Sequence, residues 1–239
     1  MMLAQDFSEF SFPALPENVL LCIGLRLEDA GAWCRECGFF TTDSEKAHAR
    51  SFVHVMDAAR HLAGRALVRR VLELTEPAGA GAGADFARNA WGKPVCPESG
   101  ADFSISHSGV MVWAAFCRGA FVGIDVEEIL PLPDLPGLAG QLHPKERDAI
   151  LAQPPDKRER DFYRCWTRKE ALLKATGMGL SRPLNSFQVS TDQRDHNWVH
   201  VPPERDASAW TSADISFDAG YSCSVAATAP HLELAVHVL

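Results

Sequence analysis

Residues 123–127 read Gly-Ile-Asp-Val-Glu, and the interpretation of the whole sequence depends on this segment. In an extended strand alternate side chains share a face, so Asp125 and Glu127 lie together while the apolar residues between them point into a core. Two neighbouring carboxylates repel each other unless a cation or a proton lies between them. Oxygen ligands of this kind favour Mg²⁺, Mn²⁺ or Ca²⁺. The segment therefore predicts either a metal-binding strand or a solvent-facing strand with two acidic residues.

The segments on either side of this strand predict an α+β protein. Short runs rich in Val, Ile, Phe and Trp are typical of strands, and Gly-containing turns separate them. Longer stretches have the spacing of amphipathic helices. The expected strands are residues 19–25, 102–106, 110–117, 121–126, 187–190, 198–201, 215–217, 221–228 and 232–239, and the expected helices are residues 43–53, 57–74, 144–151 and 157–176.

Helices and strands occur in similar proportions in the two parts of the chain. We therefore expect two similar α+β halves in a pseudo-twofold arrangement, residues 1–119 as the N-terminal half and residues 120–239 as the C-terminal half. The prolines of residues 130–136 exclude a regular helix there, because each proline removes a backbone donor. We interpret that segment as a surface excursion beside the acidic strand.

The composition is that of a folded, water-soluble protein. Of 239 residues, 46% are hydrophobic and 23% are charged, and 23 basic against 31 acidic residues give a net charge of −8. This charge disfavours binding to nucleic acid or an anionic membrane, and no apolar run has the length of a membrane span. Seven irregularly spaced cysteines favour reduced thiols, and we interpret the lone pair Cys34 and Cys37 as coincidental. We expect a cytoplasmic monomer.

Two helical segments are basic within this acidic chain. Residues 46–70 hold six basic residues against one acidic residue, and residues 157–174 hold seven against three. Arg60 continues the apolar stripe of its helix and Lys169 falls inside that of the other, where an ammonium is unfavourable unless it meets an anion. The positions of these two cations predict a cleft for a metal-bound, phosphorylated ligand; a solvated helix face is the alternative explanation of the charge.

The helical wheel of residues 157–176 separates three kinds of position. Phe162, Cys165, Trp166, Leu172 and Leu173 form the expected buried stripe. Arg164 and Arg168 are expected to face away from it, as are Arg65 and Arg69 on the other basic helix. Glu170 and Lys174 lie at the margin of the stripe, where side chains reach a cleft, although an ordinary surface ion pair between them is the alternative.

A third cluster combines Gly92-Lys93-Pro94 with the segment 104–109, which reads Ser-Ile-Ser-His-Ser-Gly. Hydroxyl groups around His107, in a turn between two strands, provide donors suited to phosphate. A purely structural histidine is the alternative.

Four segments together resemble the motifs of 4′-phosphopantetheinyl transferases of the surfactin-synthetase type. They follow one another in the order and at the spacing of that family, which makes the set more specific than any single motif. The helix at residues 57–74 is also similar, so the likeness extends over about residues 44–189. The four segments are Trp91-Gly92-Lys93-Pro94, Phe103-Ser104-Ile105-Ser106-His107-Ser108, Gly123-Ile124-Asp125-Val126-Glu127 and the stretch 166–180, which begins Trp-Thr-Arg-Lys-Glu-Ala-Leu-Leu-Lys.

The resemblance implies a fold, a substrate and a reaction. Coenzyme A would bind between the two halves with Mg²⁺, or Mn²⁺, on its pyrophosphate. A serine hydroxyl of an apo acyl or peptidyl carrier protein would attack the β-phosphate, giving phosphopantetheinyl-serine and 3′,5′-ADP. The family motifs place Asp125, Glu127 and Glu170 as metal ligands and Glu170, Lys174 and His107 as catalytic residues.

The same correspondence implies the residues that contact coenzyme A. They are Arg60, Lys93, Pro94, Ser106, His107, Asp125 and Lys174. One departure concerns the 3′-phosphate: where the family has lysines ahead of the Arg60 position, this chain has Glu45 and His48, with Lys46 displaced by one residue.

Other interpretations remain at this stage. Asp-x-Glu carboxylates beside a lysine also occur in Mg²⁺-dependent nucleases and phosphoesterases, and a non-catalytic module that binds a carrier protein or nucleotide is a third reading. For carrier docking we expect residues 130–142, with Leu135 and Leu138, and the outward guanidinium groups of Arg164 and Arg168. Alternatively, these leucines cover the sheet of the second half.

Overall fold

The computed structural model describes residues 7, 15–75, 83, 85–177, 182–194, 199–200 and 210–239. Six α-helices and eleven strands lie within this part of the chain. In chain order they are β1 (Val19–Arg26), α1 (Ala30–Gly38), α2 (Asp43–Ala49), α3 (Val55–Thr75), β2 (Ala87–Arg88), β3 (Pro94–Val95), β4 (Ala101–Ser108), β5 (Met111–Arg118), β6 (Val122–Glu128), α4 (Leu135–Ala139), α5 (Pro144–Leu151), α6 (Pro155–Thr176), β7 (Gln188–Val189), β8 (Val199–His200), β9 (Thr211–Asp214), β10 (Tyr221–Ala227) and β11 (Glu233–Val238).

The first sheet has the strand order β11-β1-β5-β4. β5 pairs antiparallel with both β1 and β4, whereas β11 pairs parallel with β1. β5 reads Met-Val-Trp-Ala-Ala-Phe-Cys before Arg118 and is buried on both faces, which explains its continuous apolar sequence. One of these faces packs with α1 and α3 in a hydrophobic cluster that includes Phe103 and Phe116.

The second sheet has the order β6-β10-β9, and all its pairings are antiparallel. A second cluster packs α6 with α4, α5 and Ala226 of β10. A third cluster joins the two sheets, with Trp113 and Cys22 from the first and Ile124 and Val225 from the second. The molecule is thus layered as helices, sheet, sheet, helices, and the α+β class is confirmed.

The order of the strands departs from the chain order at β11, which follows the second sheet in sequence but joins the first. The division at residue 119 into two halves of similar build stays a proposal. No helix in the described part of the chain is both long enough and apolar enough to cross a membrane.

Most expected elements lie within two or three residues of the observed ones. The helix expected at 43–53 ends at Ala49, the short strands β2 and β3 were not expected, and α1, α4 and β9 also differ. The pattern gave no helix for α1, whose start is capped by the Asp29 carboxylate, which accepts a hydrogen bond from the Ala32 N–H. α4 begins inside the proline-rich segment because Pro136 lies in its first turn, where no backbone donor is needed. β9 ends at Asp214, just before the strand expected at 215–217. Two ends of an expected strand, residues 198 and 201, lie outside the described residues.

The expectation that Arg164 and Arg168 face outward is wrong. Both residues are buried, with Arg164 bound to Asp161 and Arg168 bound bidentately to Asp214 at 3.0 and 2.6 Å. The sheet beneath α6 presents small side chains, such as Ser222 and Ser224, whose hydroxyls contact Thr167. The polar side chains on this face of α6 therefore pack against polar side chains of the sheet.

Lys169 does not contact the cleft. Its ammonium pairs with Glu146 at 2.9 Å, both side chains being fully buried, and donates to the carbonyl oxygens of Leu184 and Phe187. Glu146 of α5 is thus the anion that stabilises the buried ammonium of Lys169. Lys169 therefore provides no evidence for a phosphate ligand.

Arg65 and Arg69 are also less exposed than the wheel predicted. α2 covers this face of α3, and its Glu45 lies 3.0 Å from the Arg69 guanidinium and 4.0 Å from that of Arg65. On the other side of the molecule, Leu135 is buried and Leu138 packs in the same cluster as α6. The part of the expected docking surface that consists of outward arginines is therefore wrong, because both are buried. Leu135 and Leu138 pack with the second half, as in the alternative interpretation, and docking of a carrier at residues 130–142 stays a prediction.

Candidate active site

A cleft of about 520 Å³ lies where β4, β6, α3 and the start of β3 meet the C-terminal part of α6. It collects residues that are distant in sequence but were expected to act together. The predicted site residues that line it are Arg60, Lys93, Pro94, Ser106, His107, Asp125, Glu127 and Lys174.

Asp125 lies at the centre of the polar contacts in this cleft. Its side chain is buried, and its Oδ1 accepts hydrogen bonds from Lys174 Nζ at 2.7 Å and from Ser106 Oγ at 2.9 Å. Lys174 also donates to Ser106 Oγ and to the Ile124 carbonyl oxygen. Lys174 therefore pairs with Asp125 of β6, and an ordinary surface pair with Glu170 does not describe it.

Two carboxylate oxygens in this group are buried without a hydrogen-bond partner in the described part of the chain. They are Asp125 Oδ2 and Glu170 Oε1. Burial, followed by the charges of Asp125 and Glu127, raises the pKa of Glu170 to about 7. Burial and the Asp125 charge likewise raise the pKa of Glu127. Three acidic groups thus share one negatively charged region, with Lys174 as a neighbouring cation.

This donor set fits a hard divalent cation. Unpartnered carboxylate oxygens, mutual repulsion and oxygen-only chemistry are the conditions under which Mg²⁺ or Mn²⁺ is bound. Among the residues that the structure describes, no three His, Cys, Asp or Glu side chains already converge as a complete metal site. A divalent cation at phosphate sites is usually bound by one or two carboxylates together with substrate phosphates and water, and the acidic group here is compatible with that kind of binding.

Glu170 and Lys174 reach β6 because the helix and the strand approach each other closely at Gly123. A Cβ atom at Gly123 would overlap the backbone of Ala171 and Ala175, so only glycine permits this contact. Glu170 lies one helical turn before Lys174, which places both side chains over the acidic end of the strand.

His107 is the next-to-last residue of β4, and its imidazole is open to solvent inside the cleft. The surrounding protein partly desolvates it, and this effect, followed by the charge of Arg60, lowers its pKa. Its imidazole is therefore neutral at neutral pH, with one N–H donor available to a ligand.

Lys93 also lines the cleft and has protein partners. Its ammonium donates to Asp102 Oδ2 at 2.6 Å and to the Val122 carbonyl oxygen at 2.9 Å. It thus links β4 to the start of β6, and burial lowers its pKa. Lys93 therefore reaches the cleft, but its ammonium already donates two hydrogen bonds to protein groups.

The end of the cleft beside α3 is lined by further cationic and donor side chains. Arg60 binds Asp57 and donates to the Gly109 carbonyl oxygen at 2.8 Å. His61 and Arg65 line the same end and also line an adjoining cavity of about 340 Å³. His61 Nε2 is buried with no partner in the described ranges, and burial, with Arg65 next, lowers the pKa of His61 to about 4.

The residues at the departing positions of the family pattern do not replace the lysines. Glu45 is held by Arg69 and by the capping box of α2, and Lys46 pairs with exposed Asp43. His48 contacts the ring of His61 with centroids 4.8 Å apart. Sequence reasoning thus missed His61 and Arg65 as cleft residues. On the helix that carries Arg60, His61 is the next residue and Arg65 lies five residues after Arg60.

Sequence reasoning also missed Ser108. Its hydroxyl donates to Glu127 Oε2 at 2.9 Å, directly beside the expected metal ligands. The available signal was the alternation of Asp102, Ser104, Ser106 and Ser108, which places four polar side chains on one face of a strand whose neighbours are apolar on that face.

Another cleft, of about 530 Å³, lies between α6 and the strands β9 and β10. Its three arginines bind protein groups: Arg160 donates to the Ala219 carbonyl oxygen, and Arg164 and Arg168 pair with aspartates. We assign no ligand to this cleft.

Comparison with known proteins agrees with the geometry. The family model of the 4′-phosphopantetheinyl transferase superfamily matches residues 121–226. The 4′-phosphopantetheinyl transferase ffp of Bacillus subtilis is 32% identical over 193 residues, covering 80% of this chain and 84% of that protein. Psf-1 of Bacillus pumilus is 32% identical over 206 residues, covering 82% and 84%, and HetI of Nostoc is 32% identical over 195 residues, covering 77% of each.

Enzymes of this family transfer the phosphopantetheine group of coenzyme A to carrier proteins. The match extends over more than three quarters of the chain and includes the strand and helix that carry the acidic residues of the cleft. This chain therefore belongs to the 4′-phosphopantetheinyl transferase superfamily and is similar to its surfactin-synthetase-type members.

Proposed function

We propose that this enzyme transfers the 4′-phosphopantetheine group of coenzyme A to a serine of an apo acyl or peptidyl carrier protein, in an Mg²⁺-dependent reaction that releases 3′,5′-ADP. The observation that carries the proposal is the group of Asp125, Glu127 and Glu170, in which two buried carboxylate oxygens have no partner among the described residues and Lys174 lies 2.7 Å from Asp125. Phosphoryl transfer requires such neutralising and orienting groups rather than covalent chemistry by the protein.

The proposed metal ligands are Asp125, Glu127 and Glu170. When bound, Mg²⁺ supplies neutralisation of the pyrophosphate charge and polarisation of the phosphoryl oxygens. Lys174, on the same side of the cleft, adds a positive charge beside the phosphate that is transferred. Glu170 is also the candidate general base, because the attacking serine hydroxyl must lose its proton and Glu170 is a carboxylate of this group.

The remaining cleft residues are proposed to bind coenzyme A. His107 donates its imidazole N–H to a phosphate oxygen, and Ser106, Lys93 and Pro94 form the walls around the pyrophosphate. Arg60 approaches the 3′-phosphate end, where we add His61 and Arg65 because they are the cationic or donor groups that line that end while Glu45 and Lys46 are engaged elsewhere.

Intact mass spectrometry tests the transfer directly. Incubation with coenzyme A, Mg²⁺ and a panel of apo carrier proteins should add about 340 Da to one serine, the mass of the transferred group. Asp125→Ala and Glu170→Ala should abolish the addition, and a chelator should do the same, because each removes part of the proposed metal site. Asp156→Ala is a matched control, since it removes an exposed carboxylate from the same helix outside the cleft.

The same experiment separates the alternative functions. Release of 3′,5′-ADP without any mass gain on a carrier would indicate an Mg²⁺-dependent phosphoesterase. Binding of coenzyme A without turnover of any carrier would indicate a non-catalytic module. Unchanged transfer by Asp125→Ala would falsify the metal assignment.

We further propose that the enzyme acts as a cytoplasmic monomer, bound to neither membrane nor nucleic acid. The net charge of −8 supports the absence of a nucleic-acid partner, and none of the seven cysteines forms a disulfide bond, which suits a reducing compartment.

A further inference from the structure

β4 and β6 lie side by side without backbone pairing, since each is an edge strand of a different sheet. The hydrogen bonds between them come instead from the side chains of alternate β4 residues. The Val122, Ile124, Val126 and Glu128 N–H groups donate, in that order, to side-chain oxygens of Asp102, Ser104, Ser106 and Ser108, at 2.7, 3.2, 3.3 and 3.1 Å. We call this set of four bonds the β4–β6 ladder.

The ladder satisfies backbone donors that would otherwise be unpaired at a buried sheet edge. A serine hydroxyl is one carbon from the backbone, so it spans the short gap between the two strands and still keeps its own proton to donate. In the last two steps of the ladder that proton goes to an acidic residue of β6: Ser106 donates to Asp125 and Ser108 to Glu127, both at 2.9 Å.

We propose that Ser108 is a positioning residue for the metal site, which it serves by holding the Glu127 carboxylate in a fixed orientation; Ser106 does the same for Asp125. The inference rests on the proposed Mg²⁺-dependent function. Each serine hydroxyl accepts a hydrogen bond from a backbone N–H of β6, which fixes the position of the hydroxyl. The carboxylate to which that hydroxyl donates is therefore fixed relative to the strand. Outer groups that orient metal ligands in this way strengthen metal binding.

Ser104 provides the matched control. It makes the same ladder bond, to the Ile124 N–H, but it has no carboxylate partner among the described residues. Ser104→Ala and Ser108→Ala therefore both remove one ladder bond, and only Ser108→Ala removes a donor to a metal ligand. Ser108→Thr keeps the hydroxyl and suits a strand, so it serves as the conservative variant.

The test measures Mn²⁺ binding, by the electron paramagnetic resonance signal of free Mn²⁺, in the presence of saturating coenzyme A. We expect Ser108→Ala to weaken Mn²⁺ binding about tenfold, the lower end of the loss on removing an outer partner of a metal ligand. Ser104→Ala and Ser108→Thr should stay within about twofold of the wild type. In transfer assays, Ser108→Ala should require more Mg²⁺ for half-maximal rate while the KM for coenzyme A at saturating Mg²⁺ is unchanged.

Two results would overturn the inference. One is equal Mn²⁺ affinity of Ser108→Ala and Ser104→Ala when both are folded by circular dichroism, and the other is a failure of Ser108→Thr to restore binding. If the wild type transfers the phosphopantetheine group and binds Mn²⁺, these results reject only the role of Ser108 and leave the proposed function in place. If the wild type binds no Mn²⁺, the proposed metal site and the role of Ser108 are both rejected.

Discussion

At the scale of single residues, the most informative departure from the expected pattern lies ahead of Arg60, where Glu45 and His48 occupy the positions expected to hold lysines and Lys46 is displaced by one residue. His61 and Arg65 line the cleft beside Arg60, at the end proposed for the 3′-phosphate. The Arg65 guanidinium lies 4.0 Å from the Glu45 carboxylate. Burial lowers the pKa of Arg65, as is typical of a guanidinium that is largely surrounded by protein. A guanidinium suits a phosphate because it offers two parallel donors.

Arg65→Ala should therefore raise the KM for coenzyme A by about tenfold, the effect of losing one charge-assisted hydrogen bond. The KM for dephospho-coenzyme A, which lacks the 3′-phosphate, should change by less than about twofold. Steady-state kinetics with the two substrates gives this comparison. Lys46→Ala is the control and should leave both KM values unchanged, because its ammonium pairs with Asp43. An equal rise for both substrates would place Arg65 outside the phosphate site.

At the scale of elements, the site depends on the contact between α6 and β6. Glu170 and Lys174 extend from the helix over the carboxylates of the strand, and the distance between the two elements is set at Gly123. Any side chain at this position must push the helix away from the strand. Such a shift moves the proposed base and the neighbouring cation relative to Asp125.

Gly123→Ala should lower the rate of transfer by at least about tenfold, because small displacements of reacting groups have large effects on rate. It should also lower the free energy of unfolding by about 1–3 kcal/mol, as overpacking of a core does. Transfer assays and urea denaturation measure the two effects. Gly38→Ala, at the end of α1, is the control, because its Cβ atom would meet nothing within 4 Å. Normal transfer by Gly123→Ala would show that the helix position is not critical.

The elements also show how far the sequence could be read. Period-two and period-3.6 patterns could place Asp125 with Glu127 on one strand face and Glu170 with Lys174 on one helix margin. The resemblance to the family implied that the two pairs share a site, and the structure brings Lys174 into contact with Asp125. The surroundings of α6 could not be inferred, since the wheel describes one helix and not what packs on it. The polar face with Arg168 packs on a sheet, and the anion for Lys169 comes from α5. Both facts depend on tertiary partners.

At the scale of the whole molecule, the proposed metal site links pH to stability. The pKa of Glu170 is about 7 in the folded protein and about 4.5 when the chain is unfolded. Between these values the folded state binds more protons than the unfolded state, so the free energy of unfolding falls as pH rises. The contribution of Glu170 is complete below about pH 4.5 and is lost as pH rises through 7. His61, with its lowered pKa, acts in the opposite direction between pH 4 and 6.5.

Comparison of the wild type with Glu170→Gln isolates the effect of Glu170, because His61 is common to both proteins. In metal-free buffer at pH 8, we expect Glu170→Gln to be more stable by about 1–2 kcal/mol, after allowance for the partial exposure of the side chain. This corresponds to a rise in Tm of about 2–6 °C. At pH 4.5 the two proteins should melt together.

Added Mg²⁺ should stabilise the wild type at pH 8 more than the variant, because binding to the folded state alone raises stability and the variant lacks one ligand charge. Scanning calorimetry at both pH values, with and without Mg²⁺, measures these differences. A Glu170→Gln protein that melts with the wild type at pH 8 would show that burial and the neighbouring carboxylates do not raise the pKa of Glu170 in the folded protein.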